Sequence, residues 1–310
     1  MGVAQARGQR RNLVIVRAGA ASLHPYWLRG ARQRSWDMIV SYYDDADHEH
    51  PPDVRVVRQP GGKWDGLYRT LKAADVFERY DYIWLPDDDL MVSAGEIERL
   101  FGLMRQHDLA VGQPALTPDS YFTHFLMLRC PGFVIRFTNF VEIMAPCLRA
   151  DILEAVHRDF ADSMSGFGLD GIWCRLDSAG RRGAVLDSVT MKHTRPLGHG
   201  LRATMTTLGI SAEDEESDLR ARYGLQKRIR PIAYLGVRDN NSVITGKRSL
   251  GLRMMWAYLS ALSQYRDGWQ AISKIIQMLR RQLTRPVDLS PLCRAVTPPS
   301  PLSDVSSSAR

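Results

Sequence analysis

The sequence predicts an α/β protein in which a mainly parallel central sheet is flanked by helices and followed by a helical C-terminal appendage. Short apolar runs rich in β-branched residues recur in the first half of the chain, which is typical of buried strands. Segments of helical composition separate these runs, and this alternation indicates βαβ units. Beyond residue 200 the strand pattern gives way to amphipathic helical segments.

The first four predicted strands span residues 12–19, 36–45, 54–62 and 82–86. Helices are expected between them, in the segments "YWLRGARQR" and "GLYRTLKAADVFERY". The second of these places Leu67, Leu71 and Phe77 on one face at helical spacing. A further helix is expected from Ser93, which is a suitable N-cap with Glu96 three residues later.

The second half of the predicted domain is less regular. The stretch "FVIRFTNFVEIMAP" predicts one or two strands near the edge of the sheet, with Glu142 inside an apolar strand. A helix is expected over 149–162, followed by the glycine-rich loop "SGFGLDG" and a short helix. The last strand, "GAVLDSVTMKH", ends at His193.

Composition is that of a soluble globular protein, with 45% hydrophobic and 24% charged residues in a chain of 310. The net charge of +7 favours acidic partners, but no nucleic-acid-binding motif is present and we expect no nucleic-acid partner. Four widely spaced cysteines without a CxxC pair indicate a reducing compartment. No apolar run approaches the roughly 18 residues of a spanning helix, so a cytoplasmic location is expected.

Three consecutive aspartates follow the fourth predicted strand, in "YDYIWLPDDDLMV". In an extended chain Asp87 and Asp89 point the same way while Asp88 points elsewhere. Two convergent carboxylates suit a hard divalent ion such as Mg²⁺ or Mn²⁺, which commonly completes its shell with substrate phosphates. A solvated turn is the alternative. Because ligands gather beyond the carboxyl ends of parallel strands, the preceding strand favours the metal.

Three further residues are candidates on their chemistry. His193, at the end of a predicted strand, suits Mn²⁺ as a nitrogen ligand, although a lone histidine is more often structural. Asp170 follows two glycines that let the backbone approach a ligand; it could act as a general base or cap a helix. Glu142 in an apolar strand needs a partner, a metal or a substrate hydroxyl to offset its desolvation.

Five segments occur together in the order and approximate spacing of the DUF707 family: "YDYIWLPDDDL", "QPAL", "FTNFVEIMAPCL", "GFGLDGIWC" and "VLDSVTMKHTRPLG". The sequence resembles this family from about residue 12 to residue 197. The family in turn looks like the GT-A glycosyltransferases, which use nucleoside-diphosphate sugars. The resemblance implies a GT-A-like fold and a metal-dependent transfer of a sugar to a hydroxyl acceptor.

The resemblance implies roles for the donor site. Asp87 and Asp89 resemble the carboxylates that hold Mn²⁺ or Mg²⁺ on the donor diphosphate, and His193 resembles a late metal ligand. Asp88 lies nearby, and either of two acids, Asp44 or Asp45, resembles the residue that reads the nucleotide base or ribose. Two residues of "GGKWDGL" complete this donor site: Lys63 on the nucleotide or phosphate and Asp65 near the ribose.

The resemblance also implies an acceptor site. Asp170 resembles the catalytic base of inverting members, with Glu142 and Trp173 lining the acceptor, which we expect to be a glycan, a lipid-linked molecule or a small molecule. Two alternatives stay open: a metal-dependent nucleotidyl or phosphoryl transferase, and an inactive sugar-nucleotide-binding protein.

The predicted organisation is a basic tail at 1–11, a catalytic domain at 12–200, a helical extension at 201–290 and a disordered tail at 291–310. Residues 248–285 predict two basic amphipathic helices. These helices pack against the core or a partner chain, or lie on an anionic membrane, in which case the protein is peripheral to its inner face.

Overall fold

One continuous β-sheet runs through the computed structural model, which describes residues 10–31, 33–177, 179–180, 182–196, 205–207 and 209–294. The strands are β1 (Asn12–Ala18), β2 (Trp36–Tyr42), β3 (Arg55–Arg58), β4 (Tyr82–Trp84), β5 (Leu90–Met91), β6 (Val111–Leu116), β7 (Phe133–Thr138), β8 (Cys147–Arg149), β9 (Gly183–His193), β10 (Ala233–Arg238) and β11 (Val243–Thr245). Their order across the sheet is β11-β10-β7-β9-β6-β8-β4-β1-β2-β3, with β5 paired to β9 outside this path.

Helices cover both faces of the sheet. They are α1 (His24–Trp27), α2 (Lys63–Ala74), α3 (Ala94–Gln106), α4 (Ala150–Val156), α5 (Leu169–Ile172), α6 (Ala212–Arg222), α7 (Lys247–Ser260) and α8 (Gly268–Thr284), with short 3-10 turns at 125–127, 157–160, 173–175 and 262–264. The α/β class with a central sheet and flanking helices is confirmed. No helix in these ranges is long and apolar enough to cross a bilayer.

The N-terminal half of the sheet is parallel, as predicted. β1 pairs in parallel with β2 and β4, and β2 with β3. All seven residues of β1 are buried. Val14 and Val16 pack into one core layer, whereas Leu13 and Ile15 pack into the other. This burial on both faces is the physical reason for the continuous apolar run in the sequence.

The other half of the sheet corrects the expectation of a mainly parallel arrangement. β8 lies antiparallel between β4 and β6, and β9 pairs in parallel with β6 but antiparallel with β7. A parallel neighbour reached directly along the chain needs a long crossover, usually helical. Between β6 and β8 the chain has a 3-10 turn and the strand β7 but no α-helix, so the usual helical crossover is missing here. β7 lies between β10 and β9, which corrects the expectation that its segment lies near the edge of the sheet.

The C-terminal segment does more than add helices. β10 pairs with β7 and forms a hairpin with β11, so residues 201–290 also extend the sheet. Helices are present at 248–285 as α7 and α8. Of the two, α8 is amphipathic as predicted, whereas the apolar residues of α7 are distributed around the helix. Their inner faces reach the core through Met254 and Ile275, both almost fully buried. The predicted tails at 1–11 and 291–310 lie largely outside the described residues.

Two local predictions have mixed outcomes. Ser93 is the N-cap of α3, and its hydroxyl accepts a hydrogen bond from the Glu96 backbone N–H. The Glu96 carboxylate, however, accepts from Thr190 N and Arg99 rather than from the cap. The helix expected in "YWLRGARQR" is reduced to the four-residue α1, and Gly30 with φ +74° lies in the turn that follows.

A fully buried ion pair joins the antiparallel half of the sheet to α7. Arg136 on β7 donates to both carboxylate oxygens of Asp187 on β9, at 2.6 and 2.8 Å. Its remaining N–H groups reach the carbonyls of Leu126 and Leu128 and the hydroxyl of Tyr258 on α7, at 2.8–2.9 Å. Every partner in this network is charged or polar, which is the condition for burying charge without a large net cost.

Asp187→Ala leaves the Arg136 guanidinium buried without its counter-ion. We expect a loss of about 3–5 kcal/mol in the free energy of unfolding, measured by denaturant titration. Asp81→Ala is the matched control, since it removes the partner of Arg11 from a pair at the protein surface, where ion pairs contribute little. Equal losses in the two variants would contradict the central role of Arg136.

Candidate functional site

The three aspartates lie at a bend after β4, beyond its carboxyl end. The backbone N–H of Asp87 donates to the carbonyl of Met144 at 2.8 Å, which fixes the bend against the loop between β7 and β8. The side chains of Asp88 and Asp89 are only 13% exposed. The Asp87 side chain is 36% exposed, so the solvated-turn interpretation fails for Asp88 and Asp89 only.

Asp87 is paired with Lys63. The Lys63 ammonium, at the first residue of α2, donates to Asp87 Oδ1 at 2.6 Å and to the carbonyls of Ile143 and Met144 at 2.7 and 3.1 Å. Desolvation, together with the charge of Asp89, nevertheless raises the pKa of Asp87 above its ordinary value, against the opposing effect of Lys63. Lys63, expected at the donor phosphate, is here the counter-ion of a carboxylate.

Asp88 is held between two segments of the chain. Its carboxylate accepts from Arg195 at 3.3 Å, and from the Gly19 backbone N–H and the Tyr43 hydroxyl at 3.4 Å. Burial raises the pKa of Asp88, while Arg195 opposes the increase. Asp88 thus links the bend to the loop after β1 and to the chain beyond β9.

Asp89, predicted as a metal ligand together with His193, lies within hydrogen-bond distance of that residue. His193 Nε2 lies 3.1 Å from Asp89 Oδ2, and the other ring nitrogen lies 3.0 Å from the carbonyl of Tyr121. Burial alone would lower the pKa of His193, but the hydrogen bond and charge of Asp89 outweigh it and the pKa is raised. The second carboxylate oxygen, Asp89 Oδ1, is buried and has no hydrogen-bond partner among the described residues.

The two acids after β2 have different surroundings. Asp44 accepts from the Ala20 backbone N–H at 3.0 Å and lies 2.7 Å from His48 Nε2, and the hydrogen bond from His48 lowers the pKa of Asp44. Asp45 is exposed. Of the two candidates left open by sequence, Asp44 is the one whose carboxylate faces the loop after β1.

Asp65 lies in the first turn of α2. Asp65 Oδ2 accepts from Arg69 at 2.9 Å, while Oδ1 is buried and unpartnered within the described residues. Nearby, the Arg17 guanidinium donates to the carbonyls of Gly61 and Gly62 at 2.9 and 3.1 Å. The "GGKWDGL" turn is thereby fixed on the carboxyl end of β1.

Glu142 and Asp170 form a second acidic pair beside the bend. Glu142 is buried, and desolvation raises its pKa to about 7, against the opposing effects of His193 and the Thr123 hydroxyl. Asp170 keeps partial exposure, yet the protein packed around its carboxyl raises the pKa to about 8, chiefly by desolvation and next by the charge of Glu142. Glu142 Oε2 has no hydrogen-bond partner in the described chain.

The loop at 139–146 connects the two acidic groups. Its Val141 N–H donates to the Asp170 carbonyl at 2.9 Å, and its Met144 carbonyl binds both Lys63 and the Asp87 backbone. Glu142 belongs to this loop, which corrects the expectation that it lies inside a strand. A buried loop can hold an acid where a paired strand would have packed an apolar side chain.

Trp173 and Asp170 differ from two of the roles expected for them. Trp173 is fully buried and donates to the Val141 carbonyl at 3.0 Å, so it cannot stack on an acceptor sugar. Gly168, with φ +96°, is the N-cap residue of α5, and Asp170 lies inside that short helix. The expectation that Asp170 could be a helix cap is thus not what the structure shows.

The glycines of the "SGFGLDG" loop serve packing rather than ligand approach. Gly166 has φ +73°, and a Cβ there would lie within 3 Å of the Trp64 indole. Trp64 itself packs against Phe160 and Trp173. A side chain at position 166 would push this indole out of the core.

The donor set fits a divalent ion by type. Asp87, Asp89 and His193 offer oxygen and nitrogen ligands that suit Mn²⁺, and the orphaned oxygen of Asp89 has a free lone pair for a cation. Among the residues that the structure describes, however, no group of three such side chains is gathered closely enough to hold a metal. Lys63 is bound to Asp87 and neutralises the negative charge that a metal ion would otherwise neutralise.

Sequence reasoning missed Arg195 and the segment 120–123. Ser120 Oγ accepts from His193 N at 3.1 Å. A signal was present for Arg195, which lies two residues after the candidate ligand His193. None pointed to Ser120, because its contact depends on the irregular turns after β6.

Two cavities lie beside this segment. The larger, about 400 Å³, is bordered by Tyr121, Phe122, Tyr265, Arg266 and Gln270 among others. The smaller, about 170 Å³, is bordered by residues that include Thr123 and Arg281. Neither of these two is lined by Asp87, Asp88 or Asp89. Ser120 and Tyr121 border the larger cavity and also bond His193.

The family model described as "Protein of unknown function (DUF707)" matches residues 35–136. The resemblance to DUF707 is confirmed over this stretch. It covers about a third of the chain and includes the three aspartates, but not Glu142, Asp170 or His193. No curated protein matches the sequence.

Several solved structures resemble this chain at low sequence identity, and one of them is described as a putative nucleotide-diphospho-sugar transferase from Desulfovibrio desulfuricans G20, at 11% identity and a TM-score of 0.31, covering 51% of this chain and 70% of that one. Another is GalNAc-T7 with UDP, GalNAc and Mn²⁺, at 9% identity and a TM-score of 0.49, covering 70% of this chain and 48% of that one. A third is S. aureus TarS 1-349 in complex with UDP-GlcNAc, at 9% identity and a TM-score of 0.43, covering 87% and 72%. The chain spans about half the length of the GalNAc-T7 chain. Likeness at this level assigns no chemistry.

The raised pKa of Asp170 predicts a stability that depends on pH. Because its folded-state value of about 8 exceeds the ordinary value of about 4, the folded chain binds the proton more tightly and this contribution to stability is lost as pH rises from about 4 to 8. Asp170→Asn removes the titration, so its Tm falls less than that of the parent protein over this range, by about 2–4 °C for each kcal/mol involved.

Asp162→Asn, at an exposed aspartate, is the control for that experiment. Differential scanning calorimetry between pH 5 and pH 8 gives the slopes of Tm against pH. Identical slopes for Asp170→Asn and the parent protein would show that Asp170 is ionised in the folded chain.

Gly166→Ala tests the packing role of the glycine. We expect it to cost about 1–3 kcal/mol more than Gly132→Ala in the free energy of unfolding, because of the contact with Trp64. The two glycines have similar φ values, +73° and +77°, but Gly132 has open space around its Cβ position, so the backbone penalty cancels. Equal costs in urea titrations would refute the contact.

Proposed function

We propose that this protein is a glycosyltransferase that moves a sugar from a nucleoside-diphosphate donor to a hydroxyl group of an acceptor with the help of a divalent ion. The observation that carries the proposal is the coupling of two acidic groups at one edge of the sheet. The Asp87–Asp89 bend would supply the site for the cation and the phosphate. Asp170 is a separate carboxyl with a pKa of about 8. Glu142 links the two groups, because its carboxyl interacts electrostatically with Asp87 and with Asp170.

Asp170 would act as the general base. A base with a pKa near the working pH combines a useful ionised fraction with a strong drive to take a proton. As the acceptor oxygen forms its bond to the anomeric carbon, the bond from that carbon to the diphosphate oxygen breaks and the acceptor proton goes to Asp170. This single displacement inverts the anomeric centre. Glu142 acts through Asp170, because its negative charge raises the pKa of the base.

On the donor side, Lys63 would serve the leaving group. Its ammonium is already held at Asp87 by two loop carbonyls, so it could shift from the carboxylate to a phosphate oxygen without losing its other partners. Asp89 and His193, which lie 3.1 Å apart, would be ligands of the ion, and Asp87 would become a third once Lys63 had moved to the phosphate. When bound, the ion would neutralise charge on the departing diphosphate. Asp44 and Asp65 are the candidates for the ribose or base of the nucleotide.

Nucleotidyl or phosphoryl transfer is the rival reaction, since a metal–carboxylate site serves it equally. The products separate the two. Release of the nucleoside diphosphate from a sugar nucleotide supports glycosyl transfer, whereas release of pyrophosphate from a nucleoside triphosphate supports the rival. The position of Asp170 beside the bend favours glycosyl transfer. In phosphoryl transfer the metal ion could itself activate the nucleophile, so that reaction would leave the raised pKa of Asp170 without a role.

The proposal predicts that binding and turnover depend on different residues. A thermal-shift screen of UDP, GDP, CDP and ADP should give an Mn²⁺-dependent rise in Tm with one nucleotide. Asp89→Asn should abolish that rise. Asp170→Asn should keep it while lowering the rate of nucleoside-diphosphate release by about 10²–10⁴, and in the parent protein kcat/KM should rise with pH through about 8.

Asp162→Asn again serves as the control, with both readouts unchanged. An Asp170→Asn protein that retains turnover would remove the assigned base. If no nucleoside diphosphate raises Tm in the presence of Mn²⁺ or Mg²⁺, the donor assignment fails as well. Nucleotide binding without turnover in the parent protein would favour the inactive binding protein considered above.

A further inference from the structure

Residues 247–285, here called the C-terminal hairpin, contain the whole net charge of the protein. Eight of them are lysine or arginine and one, Asp267, is acidic, a net charge of +7 that equals that of the entire chain. The rest of the sequence has 33 basic and 33 acidic residues. Arg248, Arg253 and Arg280 are exposed, and in the described part of the chain none of the three pairs with a carboxylate.

The hairpin also exposes apolar side chains. Trp269 is 83% exposed, Trp256 64% and Ile276 62%, and these are the three most exposed large apolar side chains in the described ranges. Leu252 is also exposed, at 46%. Single exposed apolar residues are ordinary, but a group of them on one element marks an interaction site.

The exposed residues form a second apolar face. On α8 the buried stripe is Ala271, Ile275, Met278 and Gln282. A separate stripe recurs at the same helical spacing and is exposed or partly exposed: Trp269, Ile272, Ile276, Leu279 and Leu283. Packing against the core accounts for the first stripe, whereas Trp269 and Ile276 of the second are exposed.

The two helices lie side by side. Gly251 on α7 lies so close to α8 that a Cβ there would come within 3.5 Å of Leu279. Leu252 and Trp256, four residues apart on α7, share a face and are both exposed. The hairpin therefore exposes apolar side chains on both helices, together with the cations Arg248 and Arg280; these exposed residues are here called its outer face.

We propose that this outer face of the C-terminal hairpin docks on a bilayer that contains anionic phospholipids. The surface combines the two attractions that interfacial helices use, apolar area inserted at the headgroup level and cations drawn to anionic lipid. Tryptophan suits this boundary because its ring is apolar and its N–H is polar. The charge complementarity favours anionic lipid over a neutral apolar partner.

The anchor of the hairpin makes the docking surface a fixed part of the fold. α7 is tied to the sheet by Tyr258, whose hydroxyl accepts from the buried Arg136 and donates to the Leu128 carbonyl. Gln282 on α8 bonds both backbone groups of Ala233 on β10. The inner face is therefore occupied, and only the outer face is free to meet a membrane.

The test is flotation of the full-length protein with vesicles of phosphatidylcholine alone and of phosphatidylcholine mixed with phosphatidylglycerol. We expect binding only to the anionic vesicles, weakened by salt. Two double variants, Trp269→Gln with Ile276→Gln and Arg248→Gln with Arg280→Gln, should each lower the partition coefficient on the order of tenfold or more. All four side chains are exposed, so Tm should stay unchanged.

The matched control is Leu289→Gln with Arg158→Gln, which alters an exposed apolar residue and an exposed arginine outside the hairpin and should leave the partition unchanged. Equal binding to both vesicle types, or equal loss in the control, would overturn the proposal. It would likewise be overturned if the protein ignored vesicles and sedimented as an oligomer that Trp269→Gln with Ile276→Gln dissociated, since the face would then bind a second copy. Neither result bears on the glycosyltransferase proposal, which has its own readouts.

Discussion

The buried pair of Arg136 and Asp187 is the interaction on which the antiparallel half of the molecule depends. A guanidinium inside a core needs all of its N–H groups satisfied, and here they bind β9, the carbonyls of the segment that includes Leu128, and Tyr258 on α7. The strand that contains Asp187 ends at His193. The same pair therefore joins the strand that ends at a candidate ligand to the helix that begins the C-terminal hairpin.

The parallel half of the fold could be predicted because burial on both faces leaves a direct trace. β1 and β2 each contain a short apolar, β-branched run of the length that strands have, and the helix α2, after β3, shows its apolar stripe. The direction of β8 leaves no such trace. A strand of three residues has the same composition whether its neighbours run parallel or antiparallel, and the choice depends on loops whose paths no local pattern encodes.

The candidate site was predictable in outline, because the ends of parallel strands meet at one edge. Asp89 and His193 are together as expected. The pairing of Asp87 with Lys63 was not predicted. Lys63 was expected to bind the nucleotide or phosphate of the donor, and a contact with a carboxylate of the same site was not considered. A strand was predicted at Glu142 because its neighbours are apolar, but Glu142 and these neighbours form a largely buried loop.

Gly166 shows how a distinctive pattern can record two requirements at once. The Gly-Phe-Gly run precedes the proposed base, but its first glycine is required by the indole of Trp64. A chain that had lost the acid at position 170 would still need that glycine to close its aromatic cluster. The glycine run and the acid at position 170 therefore answer to separate requirements, and the presence of the first does not imply the second.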